Sequence, residues 1–167
     1  IQDKTSLIGG NEEEVFKKNL DIKFHTENNK ELLAQIADNN NVDKKYSKLK
    51  DIQAQLKEKH RAHTKHLNFF ESNEDCPTCQ QHIDETFKED MITRKRGDAD
   101  NVASGMGELK VELEKVAARQ KDISDIANKI RENEVHIAKE NSSLIQLEKF
   151  NATLQSEIDT LVSGDIS

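Results

Sequence analysis

The segment Cys76-Pro77-Thr78-Cys79 holds both cysteines of the 167-residue chain and its one proline. Two thiolates at this spacing can take neighbouring corners of a tetrahedral zinc site. The intervening turn lets backbone amides point toward the sulfurs, and Pro77 stiffens it. A structural zinc needs four protein ligands, so a chain with two cysteines is two short. Either histidines complete the site or a second chain does. His82 extends the pattern to Cys-x-x-Cys-x-x-His and offers an intrachain alternative, with three ligands. A metal-free pair of thiols is the plainer alternative. A thiol–disulfide enzyme is more distant, because no βαβ framework is present to activate the pair.

Other residues invite chemistry less directly. His60, His63 and His66 recur every three residues. On a helix such steps fan across a broad face, so they are read as polar seam residues rather than ligands. Lys44 to Lys65 carries eight basic residues against Asp51 and Glu58, although the whole chain has a net charge of −7. A solvated surface is the simpler reading of this basic collar. Weak contact with DNA or with an acidic partner is the sharper one. Mirroring the sequence about the cysteines sets Arg94, Lys95 and Arg96 beside Lys59 to Arg61. Glu71, Glu74, Asp75, Asp84 and Glu85 make the region around the cysteines acidic, so two such tips should repel until a cation bridges them.

The elements that position the cysteines show in the apolar spacing. Val42, Tyr46, Leu49, Gln53, Leu56, His60, His63, Leu67 and Phe70 alternate steps of four and three, the period of a coiled coil. Upstream, Val15, Ile22, Asn29 and Ile36 lie seven apart, and the Asn39-Asn40-Asn41 run predicts a stutter or loosened turn. Downstream, Val102, Met106, Leu109, Leu113, Val116, Gln120, Ile123, Ala127, Ile130, Glu134, Ile137, Asn141 and Leu144 keep the same spacing. The seam resumes one residue early at Leu147 and runs on through Asn151, Leu154, Ile158 and Leu161. Gly97, Gly105 and Gly107 each cost a helix interior up to about 1 kcal/mol and argue for a break or hinge near 97–107.

The expected fold is therefore all-α: a long antiparallel coiled-coil hairpin with the Cys-x-x-Cys turn at its apex. Its parts are an N-terminal flank (1–10), an ascending arm (11–72), the apex (73–83), a descending arm (84–163) and a C-terminal flank (164–167). An arm of roughly 60 residues would reach about 90 Å at 1.5 Å per residue.

A Cys-Pro-x-Cys turn followed by an aliphatic residue, Ile83, between two heptad arms resembles the zinc hook of the SMC-like DNA double-strand-break repair ATPases. That family includes the bacterial SbcC-type and phage recombination-endonuclease subunits. The resemblance implies that Cys76 and Cys79 ligate zinc, one ion per dimer, with two cysteines from each chain. It also implies that Pro77 and Ile83 shape the apex and the homodimer contact. In the parent protein, heads outside this segment would engage a nuclease subunit and DNA. The chain has no G-x-x-x-x-G-K-[ST] phosphate loop, so no ATPase or nuclease activity is expected of the segment itself.

Composition agrees with an extended helical protein. Charged residues make up 34% of the chain, it has one tyrosine and no tryptophan, and its apolar residues are spaced rather than clustered. No apolar run approaches the roughly 18 residues of a membrane span, and the N-terminus lacks a signal-peptide pattern, so an intracellular location is expected. A start at Ile1 rather than Met suggests a fragment of a longer chain.

Overall fold

The computed structural model describes the backbone of residues 1–166 and the side chains of residues 1–164. Of the C-terminal flank expected at 164–167, Ser167 and the side chains at 165–166 lie outside the described residues. The chain is all-α, with α1 (Gln2–Gln35), α2 (Asn39–Ser72) and α3 (Glu85–Ile166). Helix begins at Gln2 rather than after a ten-residue flank. The reason is a seam that starts early: Lys4, Ile8 and Asn11 are half-buried and continue the spacing of Val15, Lys18 and Ile22.

The chain divides into two compact units, one of residues 1–37 with 123 onward, the other of residues 38–122. In the second unit, later residues of α2 meet earlier residues of α3. Asp38 pairs with Arg119, Lys45 with Glu112, His63 with Asp98 and Glu71 with Arg96. The two helices therefore run antiparallel here. Every expected α2 seam residue from Val42 to Phe70 is half-buried, and α3 answers with Ala99, Leu109, Leu113 and Val116, each buried. Burying a large aliphatic side chain contributes on the order of 1.5–3 kcal/mol. These α3 positions supply the unit's apolar core.

The glycine-rich stretch does not interrupt α3, which is continuous through Gly97, Gly105 and Gly107. Ala99 within the stretch and Leu109 just after it are buried, and that packing outweighs a propensity cost of about 1 kcal/mol per glycine.

The interruption between α1 and α2 falls at residues 36–38, just before the asparagine run rather than within it. The Ile36 and Ala37 amides donate to Leu33 and Ala34 at 3.3 and 3.4 Å, so the last turn of α1 tightens to a three-residue spacing. The Asp38 side chain does not cap α2. Its carboxylate instead takes two hydrogen bonds from Arg119, Nε at 3.1 Å and Nη2 at 2.7 Å. Asn39, Asn40 and Asn41 then occupy the first turn of α2, where poor helix formers are tolerated.

The first unit has a more polar interior. Its buried apolar residues are Ile123, Ile130, Leu144 and Leu154, all on α3, and α1 contributes a buried asparagine, Asn29. Asn133, 3% exposed, donates its amide to both Asn28 and Asn29 at 2.8 and 2.7 Å, and Asn29 donates to the Ile130 carbonyl at 3.3 Å. The seam consequently runs Ala127, Ile130, Asn133, Ile137, Glu140, Leu144, Leu147. Glu134 and Asn141, expected on it, are exposed, and Leu161 at its far end is exposed as well. Two successive three-residue steps around Ile130 place the phase shift there rather than after Leu144.

Candidate metal centre

The α2–α3 connection, residues 73–84, is built from short-range hydrogen bonds. At its start Asn73 donates its side-chain amide to the Phe69 carbonyl at 2.8 Å, closing α2. At its end the Asp84 carboxylate accepts from the Phe87 amide at 3.0 Å, an N-cap for α3. Between them Ile83 N donates to Glu74 O at 2.9 Å, Asp75 and His82 form an antiparallel bridge, and Cys76 N donates to Gln81 O at 2.8 Å. Gln80 N closes the turn by donating to Cys76 O at 2.7 Å, which requires a left-handed φ of 62° at Gln80.

This turn brings the two thiols together. Cys76 is half-buried and Cys79 exposed, and neither is in a disulfide. The Cys79 and Thr78 backbone amides donate to the Cys76 sulfur, and the Cys79 side chain adds a further hydrogen bond. Together they hold the Cys76 thiol below its ordinary value, with burial opposing them weakly. Amides aimed at a sulfur favour the thiolate, the form that binds metal. Two thiolates in such a turn make a bidentate clamp. Pro77 is exposed at the tip of the turn, and Ile83 is half-buried at its base. Phe69, Phe70 and Phe87 stack edge-on beneath, with centroids 5.2 and 5.9 Å apart, and fix the helix ends that carry the clamp.

The histidines are distributed differently from a ligand set around the cysteines. His82 Nδ1 lies 3.1 Å from the Asp75 carboxylate. His60 and His63 are half-buried on the α2 seam and His66 is exposed; His63 faces Asp98 at 3.9 Å. The basic residues from Lys44 to Lys65 are exposed, with Arg61 on Glu58 of its own helix and Lys45 3.8 Å from Glu112. Arg96 lies on Glu71 at 2.5 Å rather than beside Lys59 to Arg61. The mirror expected from sequence is thus offset, and part of the acidity near the cysteines is neutralised.

Among the described residues, three metal-type donors converge elsewhere. Asp21 and His25 of α1 and His136 of α3 place one donor atom each within 4.8 Å of the others. The sequence reading did not single them out. The available signals were Asp21 and His25 four residues apart on one helix face, and antiparallel pairing that sets His25 opposite residues in the mid-130s.

No protein-family model, curated protein or solved structure matches the chain. No helix among the described residues is long and apolar enough to cross a membrane.

Proposed function

We propose that this chain is a structural tethering module: an antiparallel coiled-coil hairpin whose apex, at Cys76 and Cys79, pairs with the apex of a second copy through one shared zinc. The observation that carries this reading is a pair of cysteines closed into one turn between long helices, with the Cys76 thiol held below its ordinary value by hydrogen bonds from Cys79 and Thr78, and with His82 at 3.1 Å from Asp75. Such a clamp holds half of a four-coordinate site, and a second copy supplies the other half with the same chemistry. Pro77 and Ile83 shape the contact. By its resemblance to zinc hooks, the module would bridge the DNA-repair ATPase–nuclease heads of an intracellular parent protein. It performs no catalysis itself. The exposed basic residues between Lys44 and Lys65 provide a weak secondary contact for DNA or an acidic partner.

The deciding measurement is mass in solution together with bound zinc, with and without chelator, for the parent chain and the Cys76→Ser, Cys79→Ser double variant. One zinc per two chains, with the dimer lost on chelation and in the variant, is the expected result. One zinc per monomer would transfer the site to an intrachain Cys76, Cys79, His82 set. A dimer that persists without metal would move the interface onto the helices, and catalysed disulfide reduction would replace tethering with redox chemistry.

A further inference from the structure

The polar layers of the first unit differ in kind. Lys4 meets Glu157 at 2.5 Å, Asn11 meets Asn151 at 2.9 Å and Lys18 meets Glu140 at 3.5 Å, each a cross-helix pair of matched donor and acceptor. The next layer, seven residues beyond Lys18, is His25, and it is not matched in this way. Asp21 serves both histidines: His136 Nε2 lies 2.5 Å from its Oδ2, and His25 Nε2 lies 3.4 Å from its Oδ1. His25 Nδ1 is buried with no hydrogen-bond partner. The ring meets Asp21 through Nε2, so Nδ1 is the nitrogen that carries the proton when Nε2 offers its lone pair.

We infer that Asp21, His25 and His136 form a second metal site, a clasp between α1 and α3 that takes a borderline divalent cation of the zinc class through two imidazoles and one carboxylate.

The donor set suits zinc, cobalt or nickel rather than calcium or magnesium, which prefer oxygen ligands. Bonds of about 2.05 Å in a tetrahedron set donor atoms roughly 3.3 Å apart. His25 Nε2 and Asp21 Oδ1 already stand at 3.4 Å. His136 Nε2 stands 2.5 Å from the other carboxylate oxygen, Oδ2, a hydrogen-bond distance, so the two must separate by less than about 1 Å for Asp21 to share one ion with both rings. The ring proton of a neutral His136 would move to Nδ1, leaving Nε2 a lone pair for the ion.

The two rings are 4.4 Å apart at 61° and are not stacked face to face, so their nitrogens can converge on one point. His136 and Asp21 are partly exposed, 43% and 41%, which leaves a route for the ion and room for water as the remaining ligand. The nearby ammonium of Lys18 faces the carboxylate of Glu140, so with Asp21 the local balance stays negative before metal enters.

The site is independent of the cysteines and is tested in their absence. In the Cys76→Ser, Cys79→Ser chain, titration with cobalt chloride alone is expected to give one ion per chain. The spectrum should show visible ligand-field bands without thiolate charge transfer, and the melting temperature should rise as cobalt is added. His136→Gln and Asp21→Asn, each with circular dichroism showing an intact helical fold, are expected to weaken cobalt binding by at least about tenfold. Cobalt should perturb the imidazole NMR signals of His25 and His136 and leave His60 and His63 unchanged. No binding to the cysteine-free chain in large excess of cobalt overturns the inference. So does binding that His136→Gln and Asp21→Asn both leave intact.

Discussion

At the scale of single residues, two side chains hold local geometry at a definite cost. Gln80 adopts φ 62°, the left-handed region in which a side chain costs about 1–2 kcal/mol and glycine costs least. The turn that brings Cys76 and Cys79 together needs that conformation, because the Gln80 amide must reach the Cys76 carbonyl. Gln80→Gly should therefore raise the stability of the zinc-free protein by up to about 1 kcal/mol in denaturant melts, without weakening zinc binding. A fall in stability would mean that the glutamine side chain supports the turn. Asp38 is held below the usual carboxylate range, first by its hydrogen bonds from Arg119 and then, after opposition from burial, by its own backbone hydrogen bond and the Arg119 charge. A lowered folded-state pKa gives stability that is present above the unfolded carboxylate value, near pH 4, and lost as pH falls through the lower folded value. Asp38→Asn should accordingly be less stable than the parent at neutral pH, with the difference shrinking in melts below about pH 4. Asp21, lowered chiefly by its hydrogen bond from His136, follows the same sign in the metal-free protein.

At the scale of helices, the apolar period shows where a seam runs only while the seam stays apolar. From Val42 to Phe70 every position it named is half-buried, polar ones included, because aliphatic and aromatic residues on both sides fixed the phase, although Ile52, Ala62, Thr64 and Phe69 beside the seam are half-buried as well. Between Ile130 and Leu144 the phase depends on Asn133, whose burial comes from amide hydrogen bonds to Asn28 and Asn29, and the rule based on apolar spacing placed Glu134 there instead. That Cys76 and Cys79 share one turn between helices was legible because their spacing is local. The Asp21–His25–His136 cluster was not, since its third member comes from 111 residues further along the chain than His25. Asn133→Ala should destabilise the first unit by about 1–3 kcal/mol, because it leaves the side-chain carbonyls of buried Asn29 and half-buried Asn28 without this donor. Replacing Asn29 and Asn133 together by leucine should recover much of that stability while loosening register, seen as broadened cross-helix disulfide trapping at engineered cysteine pairs. The glycines of α3 permit a separate check. A Cβ at Gly97 or Gly107 would meet nothing within 4 Å, so Gly97→Ala and Gly107→Ala should each stabilise the helix by about 0.5–1 kcal/mol.

At the scale of the whole molecule, the proposed zinc-bridged pairing would set the charge of the tips against the metal. Glu74, Asp75 and Glu85 are exposed around the cysteines, whereas Glu71 is paired with Arg96 and Asp84 accepts the α3 amide. Bringing two such surfaces together would set carboxylates from both copies within roughly a Debye length of about 8–10 Å, and one zinc would contribute two positive charges against four thiolates. In the proposed pair the ion would therefore supply bonds rather than net neutralisation, and repulsion between the tips would persist. Two consequences separate this from an interface made by helix packing. Raising salt should strengthen zinc-dependent dimerisation by screening the carboxylates, and it should not create dimers in chelator. Glu74→Gln combined with Glu85→Gln should tighten the zinc-bound dimer at low salt and flatten its salt dependence, as read by sedimentation equilibrium. Neither residue has a cross-helix partner among the described hydrogen bonds and ion pairs, so these changes should leave the zinc-free melting temperature nearly unchanged. A dimer that weakens with salt would instead point to attractive charge pairs, such as the exposed lysines between Lys44 and Lys65 reaching the acidic surface of the other copy.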